Sequence, residues 1–314
     1  MRRIFSIGLA VLLVFSVLAA CSKGEEPAKE KEKGGKTTIQ FWHSLSGVNG
    51  EYMDALIKRF NEGQDKIEVV GTFQGTYDET STKLQQALSA NTAPDLTMIE
   101  RAYVQMFAEA DVLEDLKPFF ESSDLSEDDF VEGLMGHSTF NEKLVSLPLN
   151  RSTPILHVNK TILDEAGLQV PTTWEEMKTV ANALVQKEGN EIKRYGLTMP
   201  YDTWYPIAMI SQSNGSFFNE NHTSDGFNKN GIGKEVFGYL KDLQKTGALY
   251  YPPAQDTGNI VNQMFSGGKV AMMFQSTGTI GGLSQTADFE YVTAFLPKRD
   301  VYATPTGGGN VSML

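Results

Sequence analysis

The sequence predicts an α/β protein of two lobes, each a sheet covered by helices. Three observations carry this. Strand-like and helix-like segments alternate from Thr38 onward. At 314 residues the chain is long enough for about two domains. No internal repeat and no Pro- or Gly-rich linker divides its halves, so crossing strands are expected to join the lobes. With 40% apolar and 10% aromatic residues, both lobes can bury a core.

The first segments belong to neither lobe. Met1-Arg2-Arg3 is a short positive start, and Ile4 to Val17 is an apolar run broken by Ser6, Gly8 and Ser16. As a helix this run rises about 21 Å, short of a bilayer core of roughly 30 Å. Residues 1–20 therefore read as an export signal. Leu18-Ala19-Ala20 puts small residues before Cys21, the one cysteine of the chain, which has no partner for an internal disulfide. Residues 21–36 are dense in Lys, Glu and Gly and nearly free of apolar side chains, so they read as a disordered tether. A tether of that length spans roughly 20 Å.

From Thr38 the alternation begins. Thr38–His43 reads as a buried strand, and Met53, Leu56, Ile57 and Phe60 fall at helical spacing after it. Lys66–Phe73 is a second strand, Thr80–Asn91 a helix, and Asp95–Ile99 a third strand closed by Glu100. Helices are expected near 101–110 and 114–121, and strands at Lys143–Leu147 and Pro154–Val158. The pattern then repeats with helices at 160–166 and 174–186, the second capped by Thr172 or Thr173. A strand at Tyr195–Met199, helices at 204–212, 234–245 and 259–265, and strands at Lys269–Phe274 and Tyr291–Phe295 complete it. The expected organisation is a first lobe over 37–153, a second over 154–300, and a return crossing into the first over 301–314.

Charge and motifs exclude several functions. A net charge of −12 argues against sequence-independent nucleic-acid binding, which needs a basic face. The histidines at 43, 137, 157 and 222 lack metal-ligand spacing, and there is no HExxH, CxxC, GxSxG or Walker loop. No metal, cofactor or enzymatic activity is expected. A surface-anchored glycan hydrolase is the open enzyme class, because the separation of paired carboxylates is invisible in a sequence. Glu100 has no obvious carboxylate partner.

Three stretches, in order along the chain, carry a resemblance. FWHSLSGVNGEYMDALIKRFNE (Phe41–Glu62), NKTILDEAGLQVPTTWEEM (Asn159–Met177) and MFSGGKVAMMFQSTG (Met264–Gly278) are similar to extracytoplasmic solute-binding proteins of carbohydrate-type ABC importers. FWHS at Phe41–Ser44, GTYDE at Gly75–Glu79 and NRSTPILHVNK at Asn150–Lys160 resemble the glycerol-3-phosphate-binding subgroup of that family. Leu18–Cys21 resembles a bacterial lipobox, in which the cysteine is acylated. The resemblance implies a two-lobed periplasmic-binding-protein-like fold of type II with a ligand cleft between the lobes. It also implies a lipoprotein held through Cys21 at the outer face of the bacterial cell membrane. Its partners would be ABC permease subunits, and its ligand a small-molecule solute, either a phosphoglycerol or a sugar. Chains of the family usually continue past the point matching Leu314, so a C-terminal truncation is expected.

The resemblance also transfers a site. Tyr77 matches a cleft tyrosine, Glu100 an acid accepting ligand hydroxyls, Ser152 a serine before the hinge, Trp204 a packing aromatic and Ser276 a second-lobe serine. Tyr201 stands where a second tryptophan is expected, and Arg151 replaces a small polar residue. Each has a plainer reading beside it. Glu100 ends a strand where open α/β sheets gather ligands, or is a helix-entry acid. Tyr201 and Trp204, three apart, are expected to share a helical face as a stacking wall or as core. Tyr77 is read in a Gly- and Thr-rich loop, as a ligand contact or a turn residue. Ser276-Thr277-Gly278-Thr279 opens a helix either as a ligand site or as an ordinary cap. Arg151 is a candidate for the basic group that a phosphate needs.

Overall fold

A computed structural model describes residues 35–219 and 225–314. The export signal, Cys21, the tether up to residue 34 and His222 lie outside the described residues.

Two sheets organise the chain. In the first, β1 (Thr37–His43) lies between β2 (Ile67–Phe73) and β3 (Leu96–Glu100), all parallel. A small hairpin follows, β4 (Thr139–Phe140) with β5 (Lys143–Leu144), and then the short β6 (Leu147–Pro148). The second sheet is built from β7 (Pro154–Asn159), β8 (Gln186–Glu188), β9 (Glu191–Thr198), β10 (Leu249–Tyr250), β11 (Val270–Ser276) and β12 (Tyr291–Ala294). Its order is β10-β9-β11-β7-β12, with β8 on β9. The last strand, β13 (Gly309–Met313), returns to the first sheet and lies antiparallel between β3 and β6.

Each sheet buries its own core against its own helices. In the second, Leu156, Val158, Leu197 and Met272 meet Leu163, Met177, Ile210 and Leu243, all essentially inaccessible. Five to six strands crossed by amphipathic helices of 10 to 15 residues suffice to bury this set. The first sheet carries two smaller cores. One joins Leu84, Ile99, Val104 and Phe107, and the other joins Phe41, Met53 and Met98 with Leu56, Ile57 and Tyr77 at its edge. Phe60, last of the helical stripe, is left exposed.

Local chemistry moves two boundaries. The helix expected from Thr80 begins at Tyr77, because Thr76 and Glu79 form a reciprocal capping box. The Thr76 hydroxyl accepts from the Glu79 amide at 3.3 Å, and the Glu79 carboxylate accepts from the Thr76 amide at 2.8 Å. The helix beginning at Trp174 is capped by Thr173 and stops at Ala183. Residues 186–188 then pair with β9 through a turn in which Gly189 takes φ +60.

The chain crosses between the sheets twice, at residues 149–153 and again ahead of β13. The two crossings touch: Ser152 and Gly307 form an antiparallel bridge with N–H to O distances of 3.2 and 2.7 Å.

Candidate functional site

That bridge is the centre around which the candidate residues collect. Glu100 ends β3 and sits opposite Gly309 in register, so the first-lobe acid lies beside the return crossing. Its carboxylate caps the following helix by accepting from the Ala102 amide at 2.7 Å, with the Arg101 Nε 3.8 Å away. Burial pushes the Glu100 carboxyl up, and the Ala102 amide, Arg101 and Arg151 draw it down.

Tyr77 opens its helix instead of sitting in a loop, a correction that fixes its direction. Its ring packs on the Phe41–Met53–Met98 core, and its hydroxyl accepts from Asn150 Nδ2 at 3.3 Å. Burial raises its pKa. Asn150 holds the crossing too, since its Oδ1 accepts from the Gly309 amide at 2.9 Å.

The second lobe supplies the opposite wall. Trp204 opens the helix Trp204–Gln212, and its indole N–H donates to the Pro305 carbonyl at 3.0 Å. The ring lies so close to the crossing that a Cβ on Gly307 would stand 2.7 Å from Trp204 Cζ2 and 3.2 Å from Ser152 Oγ. The Ser152 hydroxyl and the Trp204 ring thus both close on Gly307. Ser276 ends β11 opposite Pro154, and its hydroxyl accepts from the Gly278 amide at 3.0 Å. The adjoining Thr277 amide donates to the Thr153 carbonyl at 2.9 Å, which ties this turn to the first crossing.

Tyr201 departs from expectation. It precedes the helix instead of sharing a face with Trp204, because Asp202 Oδ1 accepts from the Trp204 amide at 2.8 Å and starts the helix there. Tyr201 is 63% exposed and meets Tyr251 edge-on at 5.7 Å. It belongs to the rim and not to a two-residue stacking wall.

Several residues of the site escaped the sequence reading. Asp202, from the second lobe, lies near enough to push the Glu100 carboxyl up. Its only sequence signal was an acid two residues before an apolar helix. Tyr103 bonds Asp78 at 2.5 Å and, chiefly through that bond, has its pKa pushed up to about 12; Glu100 and Asp202 add to the effect. Asn150 was visible only as a polar residue before a strand, whereas Arg151 beside it was already a candidate basic group. Across the lobes, Asn49 Nδ2 approaches the Gly278 carbonyl at 3.4 Å. Among the described residues no group of three or more His, Cys, Asp or Glu side chains is placed to hold a metal ion.

An arrangement of aromatic faces, hydroxyls and ionisable carboxyls from two lobes can pack on and hydrogen-bond a small polyhydroxylated molecule.

Comparison with known proteins bears on this arrangement. Residues 55–314 match a family model described as bacterial extracellular solute-binding protein. The sn-glycerol-3-phosphate-binding periplasmic proteins UgpB of Escherichia coli strain K12 and Salmonella typhimurium strain LT2 are each 27% identical over 275 residues. The alignments cover 83% of this chain and 61% of those relatives, so the chain spans about three-fifths of their length. Among solved structures, the GacH receptor of Streptomyces glaucescens, determined unliganded and with acarbose, is 25% identical with a TM-score of 0.78, covering 88% of this chain and 71% of that one. UgpB from Mycobacterium tuberculosis in complex with glycerophosphocholine is 24% identical with a TM-score of 0.79, covering 89% and 70%. These likenesses establish the two-lobed, periplasmic-binding-protein-like fold.

Proposed function

The chain belongs to the bacterial extracellular solute-binding proteins, and from that premise we propose that it is the solute-binding component of an ABC importer. It captures a small solute by closure of two lobes and delivers it to membrane permease subunits, with no chemistry of its own. The ligand is sn-glycerol-3-phosphate or a glycerophosphodiester, held by Tyr77, Glu100, Ser152, Tyr201, Trp204 and Ser276. The lobes are residues 37–153 and 154–300, with 301–314 crossing back. Lipidation of Cys21 tethers the protein to the outer face of the cell membrane.

One observation carries the reading. Side chains from both sheets meet at the paired crossings, where the Trp204 ring and the Ser152 hydroxyl both close on Gly307 while Glu100 lies opposite Gly309. A ligand placed there contacts both lobes, and only such differential contact can favour a closed state. The glycerol-3-phosphate-binding relatives, at 27% identity, support the phosphoglycerol class. A sugar is the second reading, supported by the fold likeness to the acarbose-binding receptor. The hydrolase alternative needs a carboxylate partner for Glu100; the nearby Asp202 is engaged by the Trp204 amide, and Glu100 caps its own helix through the Ala102 amide.

The test is a titration of glycerol-3-phosphate against maltose, followed by tryptophan emission. A saturable response to glycerol-3-phosphate, abolished in Trp204→Ala, supports the reading. A response to maltose alone moves the ligand to sugars, and steady turnover of a glycan would replace binding with catalysis. For the anchor, Cys21→Ser is expected to release the protein from membranes.

A further inference from the structure

Resting on the phosphoglycerol reading, we propose that Arg151, with Arg101 beside it, forms an oxyanion subsite on the first-lobe side of the cleft and takes the phosphate of the ligand. Arg151 lies in the first crossing, between Asn150, which bonds Tyr77, and Ser152, which bridges Gly307. Its backbone is therefore fixed where the two lobes join. Its Nη2 donates to the Leu134 carbonyl at 3.0 Å and to Asn310 Oδ1 at 2.5 Å. Its Nε and Nη1 are buried and make no hydrogen bond.

A second guanidinium stands close by. Arg101 donates through Nε to the Thr306 carbonyl of the return crossing, and its Nη1 lies 3.2 Å from His137 Nε2. Burial first, then the Arg101 charge, draws the Arg151 pKa down, with Glu100 and Tyr77 opposing. His137 is likewise held down by burial and by both arginines. Glu100 is the carboxylate that acts on Arg151, and it is already committed to the Ala102 amide and Arg101. Two guanidinium groups thus face one carboxylate, with donor groups of Arg151 still unpaired.

An oxyanion supplies what this arrangement lacks. A phosphate brings acceptor oxygens for planar guanidinium donors and offsets the mutual repulsion of the two arginines. A neutral sugar brings neither. Tyr77 and Glu100, both placed at the cleft, interact electrostatically with Arg151, so the subsite adjoins the positions proposed to hold the glycerol hydroxyls.

The experiment compares the full chain with Arg151→Gln and Arg151→Lys by calorimetric titration with glycerol-3-phosphate, inorganic phosphate and maltose, alongside thermal unfolding. Arg151→Gln is expected to weaken glycerol-3-phosphate about ten- to hundredfold, the range for charge-assisted hydrogen bonds. Inorganic phosphate is expected to compete with glycerol-3-phosphate in the unmodified chain. Arg151→Lys, which keeps the charge without the planar fork, is expected to fall between. Unchanged glycerol-3-phosphate affinity in a folded Arg151→Gln overturns the subsite and leaves the binding protein intact. If that variant does not fold, unchanged affinity in Arg151→Lys together with no competition by phosphate overturns it. An unmodified chain that takes maltose and ignores glycerol-3-phosphate overturns both the subsite and the ligand class.

Discussion

Glu100 shows how one side chain can trade stability for binding. Its carboxyl pKa is raised in the folded chain, chiefly by burial. Above the pKa of the unfolded chain, the folded state then holds the proton more tightly, so this residue's contribution to stability falls as pH rises. Glu100→Gln removes that titration and keeps an oxygen for the Ala102 amide. We expect it to unfold at a higher temperature than the parent at neutral pH. It should lose about 1.5–3 kcal/mol of ligand binding, the usual worth of a hydrogen bond to a charged acceptor. A variant that is both less stable and equally good at binding would remove Glu100 from the site. His157 has the opposite sign. It is fully buried, its Nδ1 lies 2.6 Å from the Tyr291 hydroxyl, and burial pulls its pKa down from 6.5 to about 4. Between those values the unfolded chain binds the extra proton, so stability is lost as pH falls through that window. Unfolding free energies from denaturant melts at pH 7 and pH 5 should differ by about 2 kcal/mol from this residue alone. His157→Phe should lack that part of the slope.

At the scale of elements, the start of the helix Tyr77–Ser89 and the end of the strand Leu96–Glu100 explain what a sequence can and cannot announce. The strand ending at Glu100 was legible because an apolar run, Leu96–Ile99, stops at an acid. The helix start at Tyr77 was missed because apolar periodicity begins only at Leu84, although Thr76-x-x-Glu79 spelled the capping box. Tyr201 was misassigned because spacing alone cannot say where a helix begins; the Asp202 carboxylate decides it. Asn150 and Arg101 bond the return crossing at Gly309 and Thr306, contacts between segments more than a hundred residues apart. No local pattern encodes that. Thr76→Ala should cost about 1 kcal/mol of stability, the worth of an N-cap, and weaken the ligand by freeing Tyr77. Gly307→Ala tests the crossing itself. The added Cβ would meet the Trp204 ring at 2.7 Å, so the ring or the crossing must shift. We expect about 1–3 kcal/mol of destabilisation, as for other overpacked sites, with a changed Trp204 emission and weaker binding. Unchanged emission and affinity would mean that the crossing yields without disturbing the site.

For the whole molecule, the decisive fact is that the two cores are separate. The second sheet buries one large cluster and a smaller one around Val261, Phe265, Val270 and Met273, whereas the first holds two small ones. The crossings and the Asn49–Gly278 approach connect the lobes, but the packed interiors do not merge. Cooperativity between lobes should therefore be weak without ligand, and the first lobe should open first. Trp42 reports on β1 of the first sheet, and Trp174, bonded through its indole N–H to Gln212 at 2.9 Å, reports on the second core. In two variants that each keep one of these tryptophans, with the others changed to Phe, denaturant unfolding should give separate midpoints, the Trp42 transition coming earlier. Glycerol-3-phosphate at about a hundred times its Kd adds about 2.7 kcal/mol to whatever state binds it. Because the proposed site needs both lobes, that energy is lost when either opens, and the two transitions should converge. Coincident midpoints without ligand would show that the crossings alone couple the lobes. A ligand that moves one transition and not the other would mean that it rests on a single lobe, and closure would no longer explain capture.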